Sequence, residues 1–143
     1  MSEEKFGAII VGGGLAGCTA AIVLAKAGVD VLMIERGDYC GAKNMTGGRL
    51  YGHSLEKVLP GFASEAPIER VVKHEKISMM TAEGSLDIGY NSPKLSSENE
   101  NASYTVLRAK FDQWLAEKAE EAGANIVPTI RVEIGRASCR EIV

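Results

Sequence analysis

The stretch Ala8-Ile9-Ile10-Val11-Gly12-Gly13-Gly14-Leu15-Ala16-Gly17 decides the fold. Its first four residues are apolar and mostly β-branched, as expected for a short strand buried on both faces. Three successive glycines end the run, and residues 12–17 match the pattern GxGxxG. Leu15 to Ala27 reads as an alanine-rich helix, with Leu15, Ala16, Cys18, Ala20, Ala21 and Leu24 available for packing. Gly28 follows as its C-terminal stop. Val29 to Ile34 resumes as a strand and ends on Glu35-Arg36. This is one βαβ unit of roughly thirty residues, for which a right-handed crossover is expected.

Each part of the turn has a physical task. Gly12 permits the tight turn, Gly14 lets a pyrophosphate approach the backbone, and Gly17 lets helix and strand pack closely. Gly13, Leu15 and Ala16 complete a helix N-terminus that offers free N–H groups and partial positive charge to phosphate. Glu35, about 20 residues further on, is placed to accept hydrogen bonds from an adenosine ribose. A glycine turn in an unrelated α/β fold explains none of this context. The fingerprint does not separate FAD from NAD, but Glu35 argues against NADP, because a carboxylate repels a 2′-phosphate.

Working outward, Gly37 to His53 is glycine-rich and reads as loop, followed by a short helix over Ser54 to Leu59 stopped by Pro60-Gly61. From about Ile68 to Tyr90 the residues alternate, with a turn at Glu83-Gly84, which predicts an antiparallel hairpin. Asn91 to Ser103 is polar and reads as loop. Arg108 to Ala122 is an amphipathic helix with Phe111, Trp114, Leu115, Ala119 and Ala122 at helical spacing. Gly123 ends it, and Asn125 to Val132 reads as a further strand. The expected fold is α/β: an incomplete Rossmann-type parallel sheet with helices on both faces, and an antiparallel hairpin that begins a second lobe.

Composition narrows the function classes. The 143 residues carry a formal net charge of −3, with both signs mixed along the chain, so no basic stripe marks a nucleic-acid partner. The three cysteines, Cys18, Cys40 and Cys139, form no CxxC pair. They support neither a disulfide framework nor a metal site, and they fit a reducing cytoplasm. Phe6 to Ala25 lacks charge over about the length of a membrane span. Its acidic flank and its glycines argue for strand, turn and helix instead, so no transmembrane segment is expected.

The runs IIVGGGLAG, VLMIERG, GAKNMTGGRLYGHSLEKVLPGF and VLRAKFDQWLAEKAEEAGA together resemble the FixC-type flavoproteins. That group is similar to electron-transfer-flavoprotein:quinone oxidoreductases and, more distantly, to geranylgeranyl reductases. The resemblance covers about residues 5 to 132 and implies FAD as cofactor. It implies that Gly12, Gly14 and Gly17 hold the pyrophosphate and that Glu35 binds the ribose. Arg36 would lie beside the adenine, and Arg108 would reach the cofactor phosphates or ribose. A backbone contact from Val132 to the adenine is implied too, with the loop from Gly41 to Arg49 near the flavin ring. Arg36 reads equally well as a surface charge.

The implied partners are an electron-transfer flavoprotein as donor and a quinone or ferredoxin-like protein as acceptor. The implied place is cytoplasmic, with the longer parent peripheral at the inner membrane. Other FAD-dependent reductases or hydroxylases of the superfamily, and an inactive nucleotide-binding fragment, stay open as alternatives. The expected division is 1–66 with 104–132 as the FAD-binding part and 67–103 as inserted hairpin and loop. Residues 133–143 (EIGRASCREIV) resemble a translated sequencing adapter and are expected to be spurious, leaving an N-terminal fragment of an oxidoreductase.

Overall fold

A computed structural model describes residues 5–93 and 102–133. All but the first residue of the adapter-like tail, and much of the polar segment before Ser103, lie outside the described residues. Strand β1 (Ala8–Val11) leads through the glycine turn into helix α1 (Leu15–Lys26) and strand β2 (Val31–Ile34). The two strands pair in parallel, Ala8 opposite Val31 and Val11 opposite Ile34. A C-terminal strand, β8 (Asn125–Val127), adds in parallel to β2, giving the order β1-β2-β8. This is the α/β arrangement that the sequence implies.

Helix α1 ends as the sequence predicts. Gly28 takes φ +79°, its N–H donates to the Ala25 carbonyl and the Val29 N–H donates to Leu24, which is a Schellman closure. Helix α3 (Arg108–Glu121) ends the same way at Gly123, with the Ala124 N–H donating to Ala119.

Several sequence expectations change. First, Gly47–Tyr51 is a strand, β3, within the segment read as loop, and Ser103–Leu107 is a strand, β7. They pair antiparallel, with β4 (Ile68–Val71) on the other side of β7. The glycines of β3 hide its strand character, and Gly47 lies so near β7 that a Cβ would stand 3.0 Å from the Val106 carbonyl. Second, the alternating run from Ile68 is not one hairpin. β4 joins the sheet with β7, and the hairpin is β5 (His74–Met80) with β6 (Ser85–Asn91). Third, β8 stops at Val127, because Pro128 has no N–H to extend a ladder. The short helix also shifts to α2 (Gly52–Glu56), followed by a turn of 3₁₀ helix (Phe62–Ser64).

Burial shows where the core lies. Cys18, Ala21 and Ile22 of α1 and Phe111, Leu115 and Ala119 of α3 pack in one cluster with Val31 and Met33 of β2. Phe111 and Leu115 are thus core, as the spacing predicts. Alternation sends Ile9 and Val11 to the opposite face, where they are 63% and 52% exposed. Both packed helices therefore share one face, and β1 is not buried on both sides as its composition suggests. Ala16 and Ala20, expected to pack, are exposed. No helix among the described residues is long and apolar enough to cross a membrane.

Leu115→Ala is expected to lower the unfolding free energy by about 2–5 kcal/mol through the cavity it leaves. Val23→Ala, on the exposed side of α1, is expected to change it by about 0.5 kcal/mol or less. Urea denaturation of the two variants checks this, and equal losses would refute the assignment of the α1–α3 face as core.

Candidate dinucleotide-binding site

The site begins where β1 stops. Gly12 holds φ +104°, a conformation L side chains rarely adopt, and turns the chain toward α1. A Cβ on Gly17 would stand 2.0 Å from the Gly12 carbonyl oxygen, so only glycine lets the helix approach the strand end this closely. A Cβ on Gly14 would meet nothing within 4 Å. The approach to the backbone there is open, as phosphate binding requires. Gly14 caps α1 without any side-chain hydrogen bond, and the first turn holds no acidic residue. The amides of Leu15, Ala16 and Gly17 thus precede the first intrahelical bond, which the Cys18 N–H makes to Gly14. They are free to meet an anion.

Gly13 differs from its neighbours. Its N–H donates to Glu35 Oε2 at 2.7 Å, and the other Glu35 oxygen accepts from the Gly37 N–H at 2.6 Å. Glu35 therefore braces the glycine turn from the end of β2. Each carboxylate oxygen has a further lone pair, so the same group can still accept from ribose hydroxyls.

Glu35 also fixes the far wall. Its N–H donates to the Val127 carbonyl, and its own carbonyl accepts from the Ile130 N–H. Between them Thr129 adopts φ +66°, a strained conformation for a β-branched residue that costs about 1–3 kcal/mol. The Thr129 N–H donates to the Gly37 carbonyl, which holds the bend. The result is a cleft of about 240 Å³ lined by Val11, Gly12, Ile34, Glu35, Arg36 and residues 130–132. Its volume is below that of a whole-ligand pocket and suits one end of an extended ligand.

The structure thus brings Gly12, Glu35, Arg36 and Val132 together around one cleft. Ile130 and Arg131 line it too, and sequence reasoning missed them. The turn at Pro128-Thr129 was the available signal.

Arg108 is placed elsewhere. Its Nε and Nη2 donate to the two oxygens of Asp112 at 2.8 and 2.9 Å. Asp112 is fully buried and also accepts from the Asn44 side chain. The Asp112 hydrogen bonds hold the Arg108 guanidinium above its ordinary range. One edge of Arg108 is therefore committed to the protein. A Cβ on Gly41, which has φ +95°, would stand 2.8 Å from Asp112 Cβ, so the loop carrying Asn44 lies directly on the first turns of α3. Asp112 was missed because its i,i+4 spacing from Arg108 looks like an ordinary surface pair.

Comparison with known proteins identifies this arrangement. The family model described as FAD dependent oxidoreductase matches residues 8–103. The chain belongs to that family. Its cofactor is FAD. Protein FixC of Salmonella typhi is 58% identical over 133 residues, which cover 93% of this chain and 31% of that protein. The probable electron transfer flavoprotein-quinone oxidoreductase YdiS of Escherichia coli K12 is 54% identical over the same shares of each chain. Among solved structures, a geranylgeranyl bacteriochlorophyll reductase-like protein from Thermoplasma acidophilum superposes with TM-score 0.69 at 31% identity. That match covers 88% of this chain and 30% of the other. The chain thus spans about a third of the length of the curated relatives it matches.

The open cradle at Gly14 and the uncapped amides fit an FAD pyrophosphate, and the cleft at Glu35 fits its adenosine end. Gly14→Val is expected to weaken FAD binding about 100-fold or more, equivalent to ~2.7 kcal/mol. Titration of flavin fluorescence checks it, and wild-type affinity would remove the glycine turn from the site. Asp112→Ala is expected to cost about 1–3 kcal/mol in thermal unfolding by leaving Arg108 and Asn44 unpaired. An unchanged melting temperature would sink that role.

Proposed function

We propose that the protein carrying this segment passes electrons through FAD from a reduced electron-transfer flavoprotein to a quinone. The observation that carries this is the 54% identity, over 93% of the chain, to YdiS, whose name states that activity as probable. A ferredoxin-like acceptor is a variant of the same reading. Quinones are lipid-borne, so the whole protein would work from the cytoplasm at the inner-membrane surface.

FAD supplies the redox chemistry when bound. This segment binds and orients it. The amides of Leu15, Ala16 and Gly17 would hold the pyrophosphate, and Glu35 would accept from the ribose. Arg36 and Val132 would flank the adenine. Arg108, pinned by Asp112 on one edge, would direct its remaining edge toward cofactor oxygens. The loop from Gly41 to Arg49 would lie at the flavin ring.

A second reading is an FAD-dependent reductase acting on a prenyl chain, which the 31% identity to the geranylgeranyl reductase-like structure supports. The whole protein, reconstituted with FAD, separates the two. Flavin absorption bands that bleach with reduced electron-transfer flavoprotein and return on adding quinone are the expected result. Bleaching by another donor, with reoxidation only by a prenyl substrate, would favour the second reading. Absence of flavin bands would reject both.

A further inference from the structure

The βαβ crossover brings two thiols together behind the glycine turn. Cys18 sits on the first turn of α1 and is fully buried, while Cys40, in the loop after β2, is 4% exposed. Cys18 Sγ lies 3.5 Å from the Gly13 carbonyl oxygen. Cys40 Sγ fills the space a side chain on Gly13 would need, since a Cβ there would stand 2.3 Å from it. Both sulfurs therefore lie against one residue of the turn, Gly13. The neighbouring Cys18 side chain lowers the Cys40 thiol from its ordinary range, while burial and the charges of Glu35, Glu120 and Asp112 act to raise it. The Cys40 side chain and burial push Cys18 upward. Cys40, 4% exposed where Cys18 has no exposure, is the sulfur that an oxidant reaches first.

We propose that Cys18 and Cys40 form an oxidisable dithiol that closes to an intramolecular disulfide, with hydrogen peroxide as oxidant. The Cys40 thiolate attacks one peroxide oxygen. An S–O bond forms, the O–O bond breaks, and the leaving hydroxide takes a proton to become water. The Cys18 thiol then loses its proton and its sulfur attacks the sulfenic sulfur of Cys40. The S–S bond forms, the S–O bond breaks, and a second water leaves. Two thiols give up two electrons and two protons in total, and one peroxide becomes two waters. The bond ties the first turn of α1 to the loop whose Gly41 and Asn44 rest on Asp112. It thereby joins the two structures that lie beneath the dinucleotide turn.

The test uses the protein as its gene encodes it, purified reduced and then treated with hydrogen peroxide. Trypsin cleavage after Lys5, Lys26, Arg36 and Lys43 yields peptides 6–26 and 37–43, each with one of the two cysteines. The expected product is these peptides joined, about 2 Da lighter than their sum and separated again by dithiothreitol. In Cys18→Ser, Cys40 is expected to stop at a sulfenic acid that dimedone traps. In Cys40→Ser, Cys18 is expected to stay unmodified under the same treatment. Recovery of both peptides as free thiols would overturn the proposal. So would oxidation of each cysteine without joining, or joining only to Cys139 or another chain.

Discussion

The rest of this structure depends on how closely α1 approaches the end of β1. A Cβ on Gly17 would collide with the Gly12 carbonyl at 2.0 Å, so the contact is backbone against backbone. Because the helix starts this close to the strand, its free amides face the space beyond the sheet edge, where a ligand can reach them. Because β2 then returns beside β1, Glu35 arrives within 2.7 Å of the Gly13 amide. One steric constraint thus sets the anion-binding end of the helix, the carboxylate that braces it and the position of Cys18 beneath it.

A second constraint acts from the other side. Asp112 is a carboxylate with no exposure, held by the Nε–Nη2 edge of Arg108 and by Asn44. Burying a carboxylate without such partners is costly. Meeting that need fastens the loop of Gly41 to Asn44 onto α3 and holds Arg108 at the start of its helix. A guanidinium at a helix N-terminus is disfavoured by the helix dipole, and the Asp112 pair offsets that.

Among the described residues, several apolar side chains stay exposed. Ile9 and Val11 face outward from the parallel sheet, and Val23 lies on the outer side of α1. On the hairpin, Ile77 pairs with Ile88 and Met79 with Leu86, so Ile77, Met79, Leu86, Ile88 and Tyr90 share one uncovered face. Surfaces of this kind are ordinary inside a larger fold.

The sequence by itself determined the βαβ unit, its glycine turn, Glu35 and both helix ends, because these rest on local rules: φ above zero, free amides and helical spacing. It also carried the FAD family through runs such as GAKNMTGGRLY and LRAKFDQWL. It did not show β3, whose glycines lack strand character until β7 pairs with them. It did not show Asp112 as a buried node, because nothing local distinguishes it from a surface acid. Nor did it show that Cys18 and Cys40 both lie against Gly13, since residues far apart along the chain carry no mutual signal. Only the tertiary structure decided these points, because pairing, burial and the meeting of side chains at the turn depend on which elements return beside one another after the crossover.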